Sequence, residues 1–230
     1  MKIIGQPADY SEILQRIFWF SIATGLFSTA MLAKASPAVQ AFLESIATEA
    51  DLGPIKSIKV LYVLIPGAIA VISRMIKLHD RISDIFRIRL IFDIRFLLYP
   101  LCQGTGVPLT AARKATIRKV RNDSMYQTVY KYAGFKNPDI DNQLVRTAAD
   151  NWAWFWVLVE SSFLLLVTVV IFVCMQKWSY VTGFLLVVLV EMILLLIQWF
   201  ACIKSAKPQV NAILDDFERK SAIQQYFNSL

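Results

Sequence analysis

One histidine and three cysteines are all that the 230-residue chain offers as imidazole or thiolate ligands. Cys102, Cys174 and Cys202 lie far apart, no C-x-x-C occurs, and His79 has no cysteine beside it. A metal centre of that kind is therefore not expected, nor is any cofactor. The patterning below places Cys174 near an outer membrane face and the other two cysteines inside, so no disulfide framework is expected either. Catalytic signatures are missing too. There is no G-x-S-x-G, no H-E-x-x-H, no serine, histidine and acid grouping, and no pair of carboxylates at motif spacing in the polar part. The chain reads as non-enzymatic. Charge is also scarce, at 18% of residues against about 25% in soluble domains. Residues Met1 to Ser11 lack a basic region followed at once by an apolar core, so they do not read as a cleaved signal peptide.

Apolar residues fill the space that charge leaves. They make up 57% of the chain, mean hydropathy is +0.51, and they gather in four runs. The first is about 17–34, flanked by Arg16 and Lys34. The second is 58–76, with Lys59 and Arg74 at its ends and Pro66-Gly67 in its middle. The third and fourth, 153–175 and 178–203, are each long enough as helix for a hydrocarbon core of about 30 Å. The first two are shorter and depend on Arg16, Lys59 and Arg74 reaching toward headgroups. The reading is an all-α protein with four transmembrane helices. It divides into an N-terminal hairpin (1–76, with an outer link at 36–57), a basic segment (77–152), a C-terminal hairpin (153–203) and an amphipathic tail (204–230). With only four spans and no inverted repeat, a transporter is disfavoured.

Orientation follows from the lysines and arginines. The segment from Lys77 to Trp152 carries thirteen of them against seven acids, and the tail adds Lys204, Lys207, Arg219 and Lys220. The link at 36–57 has Lys34, Lys56 and Lys59 at its edges, balanced by Glu44, Glu49 and Asp51. The turn around Gln176-Lys177 is very short. Both links are expected outside, with the basic segment, the tail and both termini in the cytoplasm. Trp152, Trp154, Trp156 and Trp199 would form the inner aromatic belt, and Trp178 and Tyr180 the outer one. Val39, Phe42, Leu43 and Ile46 recur at helical spacing, so a short interfacial helix is expected in the outer link, ending near Gly53-Pro54.

Residues 79–98 carry two patterns. Phe86, Ile88, Leu90, Phe92, Ile94 and Phe96 alternate with mostly charged partners, as a strand would. Asp80, Asp84, Arg87, Ile91 and Arg95 instead share a helical face, and Arg89 and Asp93 are spaced to pair. A lone strand has no ladder partner, so we read a long helix continuing from the second apolar run. A loop is expected over Tyr99–Thr110 from Pro100, Gly104, Gly106 and Pro108. Thr110 should then cap a basic helix reaching about Arg121, a further short helix should end at Gly134, and another should begin after Asn137-Pro138.

Glu160 and Glu191 interrupt the two longest apolar runs, where a carboxylate is costly. Gln198 lies two turns from Glu191 on the same face. Such a polar seam either fixes helix packing and oligomer contacts or lines an ion path, and we favour packing. Arg113, Lys114, Arg118, Lys119 and Arg121 form a basic cluster suited to anionic lipid or an acidic partner. No aromatic stacking platform accompanies it, so nucleic acid is not the expected ligand. Gly104-Thr105-Gly106 lacks the P-loop spacing and reads as a turn. Pro66-Gly67 is either a gating hinge or a static kink. In the tail, Val210, Ile213, Leu214 and Phe217 define one apolar face for docking.

In size, span number and the basic segment 77–152, the chain resembles the four-span membrane proteins of bacterial anti-phage defence operons. It looks most like the membrane component of Kiwa systems, and second like four-span effectors of cyclic-oligonucleotide signalling. The resemblance implies a homo-oligomer at the inner membrane that engages a soluble cytoplasmic partner in response to infection. It carries over no functional residue.

Overall fold

A computed structural model describes residues 5–45, 49–52 and 55–230, with backbone alone for 49–52 and 55–59. Its elements follow the local chemistry closely. Helix α1 (Tyr10–Ala35) starts at a capping box, in which Asp9 Oδ1 accepts from the Glu12 N–H at 3.0 Å and Glu12 reaches back to the Ala8 N–H. Ser36 accepts from the Val39 N–H and Pro37 takes the first position of α2 (Pro37–Ser45), the helix expected in the outer link. The other marks predicted for that link, Ile46, Gly53 and Pro54, lie outside the described residues. A short antiparallel pair not anticipated from sequence, β1 (Glu49–Leu52) with β2 (Ile55–Lys59), sets Glu49 opposite Lys59.

Helix α3 (Val60–Met75) runs unbroken through Pro66. The bend comes later, at Lys77, whose φ of 50° leaves the right-handed helical region. Helix α4 (Leu78–Phe86) departs from α3 at 55°. A second left-handed residue, Arg87, separates α4 from α5 (Ile88–Phe92). From Ile88 the backbone stays helical to Gly104, through a π-helical stretch (Asp93–Leu98) into α6 (Tyr99–Gly104). Residues 79–98 are helical rather than strand, but they are not one long helix continuing from α3, because left-handed Lys77 and Arg87 break it, and the loop expected from Tyr99 begins only after Gly104. Pro100 sits in the first turn of α6, where its missing N–H is tolerated, and the widened π turn lies just before it.

Thr110 caps α7 (Ala111–Lys119) by accepting from the Arg113 N–H, as its position predicts. Then come α8 (Arg121–Met125), a second π stretch (Tyr126–Tyr130) and α9 (Lys131–Ala133), which stops at Gly134. Two long helices follow. They are α10 (Asn142–Cys174), begun by the Asp141 carboxylate on the Gln143 N–H, and α11 (Trp178–Leu214), joined to α10 through left-handed Gln176. Asp216 caps the last helix, α12 (Phe217–Asn228).

Helices α1, α10 and α11 are long and apolar enough to cross a membrane, and the bent pair α3–α4 gives a fourth crossing if it counts as one span. Along α11, Leu186, Leu189, Val190, Ile193, Leu196 and Ile197 are all more than half exposed. A row of uncovered large apolar side chains on that scale suits lipid rather than water.

The chain forms two units. The first comprises residues up to Ile13, Asp80–Ala153 and Gln198–Leu230; the second comprises Leu14–His79 and Trp154–Ile197. In the second unit, Leu165, Val169, Phe172, Val181, Phe184 and Val188 pack around Ala35, with Phe172 stacked on Tyr180. Gly25 of α1 lies against Pro66 of α3 so closely that a Cβ would stand 3.0 Å from the proline Cβ. Pro66 thus lies at a close crossing of α1 and α3. In the first unit, Leu98, Leu101, Cys102, Ile117, Met125, Ile213, Ile223 and Phe227 are fully buried.

Candidate functional site

Glu160 is a deeply buried charge-bearing side chain of the second unit, and three other helices contribute to its surroundings. Its residue is only 3% exposed. Oε2 accepts from Ser21 Oγ on α1 and from Ser73 Oγ on α3, each at 3.1 Å. Oε1 accepts from the backbone N–H of His79 at 3.2 Å and lies 3.3 Å from His79 Nδ1. His79 is the second residue of α4, so its N–H belongs to the first turn, which has no acceptor within its own helix. Glu160 supplies that acceptor, and a carboxylate is favoured at the positive end of a helix. The bend at Lys77 therefore delivers the first turn of α4 to a carboxylate on α10. One side chain fastens α1, α3 and α4 to α10.

The next two residues continue this belt of contacts. Ser161 Oγ shares a 3.1 Å hydrogen bond with Thr24 of α1, and Ser162 Oγ donates to Glu191 Oε2 of α11 at 2.8 Å. Arg16, also buried, places its guanidinium 4.9 Å from the centroid of Trp154, and the His79 ring lies 6.0 Å from Trp156. The hydroxyls of Ser21 and Ser73 both donate to the Glu160 carboxylate. Among the described residues, no group of three or more His, Cys, Asp or Glu side chains is placed to hold a metal.

In the first unit the basic cluster separates into committed and uncommitted charges. Arg121 Nε donates to Asp93 Oδ2 at 2.8 Å, its NH2 also bonds that oxygen, and its NH1 reaches Asn122. Arg113 NH1 donates to the Pro108 carbonyl at 2.7 Å, and Lys114 stands 6.0 Å from the ring of Tyr99. Arg118 and Lys119 are exposed and face a groove with Leu90, Val120, Asn122 and Asp123. Burial pushes the Asp93 carboxyl above its ordinary range, and the Arg121 charge pulls it back only in part.

A family model described as the YmfE protein family matches residues 9–229. The chain belongs to the YmfE protein family. No curated protein and no solved structure matches it significantly. No match connects it with the Kiwa components that it resembles in outline.

In this YmfE-family chain the three members of the expected polar seam have separate partners. Glu160 and Glu191 bond as described, while Gln198 Nε2 donates to the Asn151 carbonyl at 2.9 Å and to its side-chain oxygen. Asn151 in turn donates to the Ala201 carbonyl, which staples α10 to α11 within the first unit. Sequence reasoning missed Ser21, Ser73, His79, Ser161 and Ser162. A signal is present only for Ser161-Ser162, which directly follow Glu160.

The tail departs from expectation at one residue. Val210 and Ile213 are buried and Leu214 is half-buried, with its Cδ1 pressed on Gly104, where an added Cβ would stand 2.3 Å away. Phe217, however, is 84% exposed. Helix α11 continues past Pro208 to Leu214 and a new helix starts at the Asp216 cap, so the 3.6-residue period does not carry across the bend. Ile223 and Phe227 provide the buried face of α12 instead. Tyr226 fixes it further, its hydroxyl 2.7 Å from Asp123 Oδ2 and 3.0 Å from Ser124 Oγ. Burial raises that phenol to about 12. Ile213→Asp should therefore lower thermal stability by about 3 kcal/mol or more, by forcing a carboxylate into a closed apolar site. Phe217→Asp should stay within about 0.5 kcal/mol of the parent. Equal loss in the two variants, measured by thermal unfolding in detergent, would contradict this placement.

Proposed function

We propose that this YmfE-family protein is a non-enzymatic scaffold or sensor of the bacterial inner membrane. It oligomerises and engages a soluble partner through its cytoplasmic unit. In this reading α1, the bent pair α3–α4, α10 and α11 make four crossings, with both termini and the basic segment in the cytoplasm. The observation that carries it is the commitment of Glu160. Both of its oxygens are engaged by neighbouring helices, so the carboxylate serves packing and is not left to line a water-filled path. The outline resemblance to defence-operon proteins makes an infection-responsive effector the partner class.

Glu191 supports a second reading, a pore opened by a trigger. It is half-exposed on α11 with Ser162 as its described hydrogen-bond partner, and a ring of such carboxylates from several copies would select cations. Ion flux in liposomes carrying the purified protein separates the two. The scaffold reading expects no appreciable cation flux from the parent, and Glu191→Gln behaving like it. Cation flux that Glu191→Gln abolishes while the oligomer stays intact would replace the scaffold with the pore.

A further inference from the structure

The groove beside Arg118 and Lys119 has a shape, a charge and a neighbourhood that together suit one class of ligand. It holds about 430 Å³ and is lined by Leu90, Arg118, Lys119, Val120, Arg121, Asn122 and Asp123. That volume admits a headgroup but not a helix. Among these residues Arg121 is neutralised by Asp93, and Asp123 is held by the Tyr226 hydroxyl. Arg118 and Lys119 stand exposed on the last turn of α7, free to meet an anion. A basic wall next to an unspent acceptor oxygen suits a phosphodiester whose remaining part carries hydroxyl donors.

The neighbourhood sets the depth. Leu90 is two residues from Phe92 on the same short helix, a rise of about 3 Å. Phe92 packs edge-on against Trp152 and Trp199, with ring centroids 4.5 and 5.6 Å away. Both tryptophans sit where α10 and α11 enter their apolar stretches, and clustered tryptophan marks the headgroup level of a bilayer. The groove therefore lies next to a tryptophan cluster of the kind found at headgroup level. A basic side chain there gains from a negative leaflet surface without losing its water.

We propose that this groove binds the headgroup of an anionic phospholipid, with the phosphate on Arg118 and Lys119 and the headgroup hydroxyls toward the Asp123 carboxylate. The site stands whether the protein is a scaffold or a pore. Arg113 and Arg121, which share the same basic run, are hydrogen-bonded within the fold, and Lys114 lies outside the groove lining.

The test uses the full chain in neutral detergent, titrated with phosphatidylglycerol, phosphatidylethanolamine or phosphatidylcholine and read by native mass spectrometry. Phosphatidylglycerol should be retained at least about 10-fold more tightly than the other two. Arg118→Gln with Lys119→Gln should reduce that retention by about 10- to 30-fold, at roughly 5-fold per surface charge. Both side chains are exposed, so the melting temperature without lipid should not move, which separates lost binding from lost fold. Inorganic phosphate at millimolar concentration should not displace the lipid. Displacement would show a soluble phosphate site and overturn the lipid assignment. Equal retention of all three lipids would overturn it, and so would unchanged retention by the double variant.

Discussion

Replacing Glu160 with leucine is expected to lower the stability of the protein in detergent by about 2–4 kcal/mol. The change removes the common acceptor of Ser21, Ser73 and the His79 N–H, which come from α1, α3 and α4. Hydrogen bonds between helices in membrane proteins average about 0.6 kcal/mol and reach about 1.7. Three of them set the lower part of the range. The remainder comes from the His79 N–H, which stays buried at the start of α4 with no replacement acceptor. Gln at the same position keeps the shape, an acceptor for the His79 N–H, and an amide that can donate to the serine oxygens. It should cost under about 1 kcal/mol. The measurement is the midpoint of unfolding in mixed micelles, alongside protease accessibility near Lys77. Leucine should expose the α3–α4 bend to cleavage, because the His79 N–H loses the carboxylate that ties it to α10. A leucine variant as stable as the parent, or a glutamine variant as damaged as leucine, would remove Glu160 from this fastening role.

Part of that arrangement can be read from the chain itself. A carboxylate in an apolar run of more than 20 residues is costly enough to signal purpose, and Glu160 carries that signal alone. Its partners do not, because they are 139, 87 and 81 residues away and no period or motif links them. The long apolar helices were legible because hydrocarbon thickness imposes a length, and Thr110, Ser36 and Pro37 because capping is local chemistry. Tyr99–Gly104 was misread because Pro and Gly punctuate a sequence in the same way whether a helix ends or starts a new turn. Phe217 was misplaced for a related reason. A helical period was extended over Asp215-Asp216, where the capping aspartate restarts the phase. The bend at Lys77 was not legible, because no residue type announces its left-handed backbone.

Arg121→Ala is expected to cost about 3 kcal/mol, much more than its place in a surface-looking basic run suggests. Its guanidinium holds Asp93, whose side chain is 9% exposed, through two nitrogens. Burial already lifts the Asp93 carboxyl above its ordinary range, which means that desolvation outweighs the help Arg121 gives. A pair in that balance adds little net stability, but removing one partner leaves a charge in a site built for two. The pH dependence follows from the direction of the shift. A carboxyl whose folded value is raised contributes most below its unfolded value near 3.8, and the contribution is lost as pH rises through the folded value. Without Arg121 that value climbs further, so the deficit of the variant should widen from the carboxylate range up to neutral pH and narrow on acidification. Asp93→Asn combined with Arg121→Gln removes both charges and keeps hydrogen-bonding groups of similar shape. It should recover to within about 1 kcal/mol of the parent at pH 7. Unfolding measured for the two single variants and the double at pH 5 and pH 7 completes the cycle. A double variant as weak as Arg121→Ala, or a single-variant deficit that grows on acidification, would show that Arg121 acts by packing rather than by holding Asp93.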